Sequence, residues 1–112
     1  MNTLELQKIE QSIKQSQKVV DLGESLERLV NNRDFKKVIL EGYFEQEAIR
    51  LVHLKSDDNM QTYESQEAIE KQMIGIGSFS AYLNALRIRA QMAANAVVAD
   101  EQTRNELLEE GV

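Results

Sequence analysis

The sequence predicts an all-α protein: an antiparallel helical hairpin with a long C-terminal helix and one or two accessory N-terminal helices. Three observations carry this. The 112 residues include no Pro and only 5 Gly, while Glu, Gln, Leu, Ala, Lys and Arg abound. That composition is biased towards helix. The turn chemistry that an all-β chain needs is missing. Finally, apolar residues recur three and four apart over long stretches.

Residues 4–20 read as a polar amphipathic helix. Leu6, Ile9, Ile13 and Val20 fall on a seven-residue a/d pattern, with Ser16 in the remaining slot. Such a helix is marginal alone in water and needs a partner surface, in its own chain or in another subunit. Asp21-Leu22-Gly23-Glu24 is expected to break it, which puts a boundary between residues 1–21 and 22–112. Asp21 or Ser25 would then cap a short helix with Leu22, Leu26, Leu29 and Val30 on one face. Asn31 to Asp34 form a turn of residues whose side chains compete with helical hydrogen bonds.

The densest apolar stretch follows, from Phe35 to Leu54, with Asp34 as its expected N-cap. Leu40, Phe44, Ala48 and Leu51 recur at helical spacing, and Val38, Ile39 and Val52 widen the stripe. Gly42 lies inside, at a cost of about 1 kcal/mol relative to Ala. Close approach of another helix backbone explains it, and flexibility is the competing explanation. Ser56 to Thr62 is the clearest loop, short enough to make its flanking helices antiparallel neighbours.

The last helix starts near Tyr63 or Ser65. From Ile76 its heptad is regular: Ile76, Phe79, Leu83, Leu86, Ala90, Ala93 and Val97 occupy successive a and d positions. Asp100 and Arg104 weaken the next slots, and Leu107 and Leu108 return before an acidic end. Gly75 and Gly77 are expected to mark a kink or a break. A helix over 65–98 spans about 51 Å, against about 33 Å for one over 34–55. The shorter cannot cover the longer. The distal end therefore bends back at the glycines, or is covered by residues 4–20, or meets another subunit. Small residues there favour tight contact, so a homo-oligomeric or partner-bound bundle is expected. Its contact residues would be Leu6, Ile9, Ile13, Leu83, Leu86, Ala90, Ala93 and Val97.

Hydrophobic residues at 42% and charged residues at 29% place the chain with folded domains and away from wholesale disorder. The net charge of −6 disfavours a nucleic-acid binder. No Cys is present, which removes thiolate and disulfide chemistry. The N-terminus lacks the pattern of a secretory signal, and no run is apolar enough to span a bilayer.

Chemical motifs are sparse. The sole histidine, His53, sits on the apolar helix without a G-x-S-x-G serine to serve. Arg50 stands where a di-metal Glu-x-x-His motif needs Glu. Asp57-Asp58-Asn59 opens like a calcium loop, but Thr62 and Ala68 occupy the positions that need Gly and Glu. Gly75-Ile76-Gly77 has no preceding strand and no Gly-Lys-Ser/Thr to make a phosphate loop. Lys36, Lys37, Arg50, Lys55, Arg87 and Arg89 read as solvated helix faces or as partners of Glu41, Glu45 and Glu47. No enzymatic activity, cofactor or metal is expected.

The residues Asp34-Phe35-Lys36, Glu41-Gly42-Tyr43-Phe44, Glu47 to Val52 and Asn59-Met60-Gln61 stand in a segment that resembles a group of small uncharacterised proteins of tailed bacteriophages, encoded among head and tail morphogenesis genes. The resemblance covers about residues 22–110. It implies a virion structural or assembly protein present in many symmetric copies and assembled in the host cytoplasm. A small regulatory protein that binds a host or phage protein is the alternative, and a DNA-packaging accessory factor is a third.

Overall fold

The structure, a computed structural model, describes residues 3–111. Every element among them is helical and none is a strand. Helix α1 runs over Thr3–Val30. A second helical segment covers residues 33–56: α2 over Arg33–Phe35, a π-helical stretch over Lys36–Glu47, and α3 over Ala48–Ser56. A 3-10 turn at Asp58–Met60 leads into α4, which runs over Tyr63–Glu110. The chain is all-α with a long C-terminal helix, as its composition and periodicity predict.

Two expected interruptions are absent. Helix α1 continues through Asp21–Glu24, where the sequence suggests a break. Ser25 lies inside this helix, where its hydroxyl donates to the Asp21 carbonyl one turn back, at 3.2 Å. Helix α4 likewise passes through Gly75 and Gly77 without a break, and no glycine takes a positive φ. Glycine lowers helix propensity by about 1 kcal/mol, which tertiary packing outweighs. The cap of the middle segment is Asn32, not Asp34. Asn32 is extended, and its side-chain oxygen accepts from Phe35 N–H at 2.9 Å.

The chain folds as two compact units. One combines the chain up to Leu26 with the chain from Ala85 onward, and the other is Glu27–Asn84.

In the second unit the segment 33–56 and α4 form an antiparallel hairpin. Lys55 meets Glu70 at 2.8 Å, while Tyr43, earlier on its helix, meets Phe79, later on α4. Leu51, Ile69 and Ile76 make the core, with Tyr43, Phe44, Ala48, Leu54, Met60 and Met73 packed on it. Leu51 and Ile69 are 0% and 1% exposed, and each such burial stabilises by about 1.5–3 kcal/mol. The apolar stripe of the middle segment is narrower than its sequence suggests, because Val38 and Val52 lie exposed. Side chains fasten the connecting loop. Asp57 accepts from Asn59 N–H at 2.8 Å, Gln61 donates to the Lys55 and Asp57 carbonyls, and Gln66 donates to the Lys55 and Met60 carbonyls. Asp57 is thus a turn cap.

In the first unit α1 packs antiparallel on the end of α4. Ser12 Oγ donates to Asp100 at 2.8 Å, and Gly23 faces Ala90. The predicted a/d positions Leu6, Ile9, Ile13, Ser16 and Val20 are all half-buried, and the pattern carries on through Gly23 to buried Leu26. On α4, Leu86 and Val97 are buried, and Ala90, Ala93, Asp100, Arg104 and Leu107 are half-buried. A Cβ built on Gly23 would stand 2.3 Å from the Ala90 Cβ, so only a glycine admits this approach.

Of the three ways of covering α4 that its length leaves open, cover by the N-terminal helix is the one found. The distal part of α4 neither bends back at Gly75 and Gly77 nor requires a second subunit. Residues of α1 in the same chain lie against it.

Candidate interaction surface

Seven of the eight residues expected to make intermolecular contacts, Leu6, Ile9, Ile13, Leu86, Ala90, Ala93 and Val97, line the α1–α4 seam of the first unit at buried or half-buried positions. Leu83, the remaining one, is half-buried in the second unit. These side chains already have neighbours in their own chain. The surface still open lies elsewhere on α4.

From Gln72 to Ala99 the only charged residues are Arg87 and Arg89. A helix packed along one face normally shows water a charged opposite face. Here that face is uncharged. In the second unit it presents Ile74, 65% exposed, with Gly77, Ser78, Ala81 and Tyr82. In the first unit it presents Ala85, Ile88 at 52%, Met92 at 64%, and Val98 with Ala99. Single exposed apolar residues are ordinary. In the first unit several of them share one helix side with Ala85, Ala99 and the hydrogen-bonded pair Gln91 and Asn95, without a charge, which is the pattern of an interaction site. Sequence reading centred on the a/d seam misses it. The available signal was the scarcity of charge over these 28 residues, read on the side of the helix away from the heptad.

The remaining candidates have plain structural settings. His53 is exposed on α3. Arg50 pairs with Glu47 one turn back, and Lys71 pairs with Glu67 at 3.0 Å. Lys55 joins Glu70 and Gln66 across the hairpin instead of a carboxylate on its own helix. Among the described residues no group of three or more His, Cys, Asp or Glu is placed to hold a metal ion. No helix among them is long and apolar enough to cross a membrane.

Lys36 and Lys37 behave differently. With Asn31, Arg33 and Glu41 they line an open cleft of about 410 Å³ in the second unit. Arg33, Lys36 and Lys37 form no ion pair among the described residues. Glu41 follows Lys37 by four residues, a spacing that pairs charges on an α-helix. The two lie within the π-helical stretch, where the wider i→i+5 winding shifts that register.

A search of known proteins gives no further guide: no family model, curated protein or solved structure matches the chain.

Proposed function

We propose that this chain is a non-enzymatic structural or assembly protein of a bacteriophage virion, acting through helix–helix contacts between its own copies in a multi-subunit complex. The phage setting comes from the sequence resemblance. The mode of action rests on one observation, the uncharged outward side of α4 with Ile88 and Met92 exposed. Left in water, such a surface favours association, because burying apolar area is worth about 25 cal/mol per Å². The small residues Ala85 and Ala99 beside it let a second helix approach closely.

Sedimentation velocity over a protein concentration series tests the mode. The wild-type chain is expected to associate, and Ile88→Asp with Met92→Asp to shift it towards monomer by at least about tenfold in dissociation constant. Circular dichroism should stay unchanged, since both side chains point to solvent. A wild-type chain that remains monomeric, or a double variant that associates normally, rejects this surface. Mass spectrometry of purified particles tests the virion setting, and absence of the chain from them rejects it.

A further inference from the structure

Two charge clusters on this molecule stand where their own helices disfavour them. Arg33, Lys36 and Lys37 occupy the first turns of the helical segment that starts after Asn32, and outnumber the single carboxylate there, Asp34. The N-terminal end of a helix carries the positive end of its dipole, so cations there are repelled. Glu106, Glu109 and Glu110 occupy the last turns of α4, and the last turn contains no basic residue. That end carries the negative pole, so these carboxylates are repelled as well. All six side chains belong to exposed residues, and none forms an ion pair among the described residues.

We infer that the basic cleft of one copy takes the acidic C-terminal turn of α4 from a second copy. The cleft offers about 410 Å³ of open space lined by three cations, Asn31 and one carboxylate, Glu41. The acidic turn brings Glu106, Glu109 and Glu110 on neighbouring positions of one helix side. Joining them relieves both unfavourable ends at once. Each copy then has one cleft and one acidic turn, so the contact joins two different surfaces, and it closes reciprocally between two copies or propagates into a ring or a filament. This rests on the reading that the chain works as an assembly of its own copies.

A charge-swap experiment tests it. Lys36→Glu with Lys37→Glu, and separately Glu109→Lys with Glu110→Lys, are compared with wild type by sedimentation velocity at low and high salt. Each variant alone is expected to associate at least about tenfold more weakly, and wild-type association to fall as salt rises. An equimolar mixture of the two variants is expected to regain association, because each supplies the charge that the other now needs. That recovery also shows that both variants fold. Unchanged association in either variant, or a mixture that stays dissociated, overturns the inference. So does a Lys36→Glu, Lys37→Glu variant that loses only binding to a DNA duplex in a gel shift, which would assign the cleft to phosphates. If Ile88→Asp dissociates the assembly while charge reversal does not, the cleft contact falls and the assembly reading stands.

Discussion

Four glycines of this chain occupy four different environments, and their substitution should have four different effects. Gly23 is the tightest: a methyl group there collides with the Ala90 Cβ at 2.3 Å. Gly42 would bring a Cβ to 3.1 Å from the Lys37 carbonyl, the group five residues back that a π-helical ladder uses. The approach that Gly42 permits is therefore within its own helix, not from a neighbouring one. Gly75 leaves ordinary contact distance to the Tyr43 hydroxyl, and Gly77 meets nothing within 4 Å. In urea unfolding, Gly23→Ala should destabilise by about 1–3 kcal/mol, the usual range for overpacking. Gly77→Ala should stabilise by about 0.5–1 kcal/mol, because it removes only unfolded-state freedom. Equal effects of the two would show that α1 and α4 do not meet at Gly23. Sequence alone offers Gly23, Gly75 and Gly77 as possible breaks, and Gly42 as a close approach or a flexible point. It is the neighbour that decides, and the neighbour of Gly23 lies far along the chain.

Among the elements, the segment 33–56 shows how local signals and packing divide the work. Its start is set by a side-chain cap, with Asn32 accepting from Phe35 N–H. Asn32→Ala should cost about 1 kcal/mol in chemical unfolding, with Asp34→Ala much closer to neutral. The reverse order would return the cap to Asp34. Both residues sit in an Asn-Asn-Arg-Asp run of cap-forming types, so the turn was legible and the capping residue was not. The π-helical winding of Lys36–Glu47 was also hidden. Its residues have ordinary helix periodicity, and a change from i+4 to i+5 bonding leaves little trace in composition. The antiparallel pairing with α4 was legible, because the short loop from Ser56 to Thr62 allows little else.

For the molecule as a whole, the decisive feature is that α1 returns to the end of α4. Leu86 and Val97 are buried in that unit. A chain that begins at Glu27 loses the surface against which they pack. Most of the stability of a helix in a protein comes from packing its apolar face, so residues 85–111 should then fray. Helix content by circular dichroism should fall by more than the removed residues account for. A loss limited to those residues would show that α4 is held by something other than α1. The expected contact residues Leu6, Ile9 and Ile13 were recognisable as a seam, and Leu86, Ala90, Ala93 and Val97 as another. The sequence could not say that the two seams face each other.

Composition and periodicity by themselves determined the helical class, the hairpin at residues 56–62 and most of the positions that turn inward, Val38 and Val52 excepted, because these depend on local propensity and on which side chains avoid water. The partner of each inward side was decided only by the tertiary structure, since a heptad pattern states that a surface must be covered and not by what. With α1 covering the end of α4, the side left over is the uncharged one through Ile88 and Met92, and an amphipathic pattern read one helix at a time does not reveal which side remains.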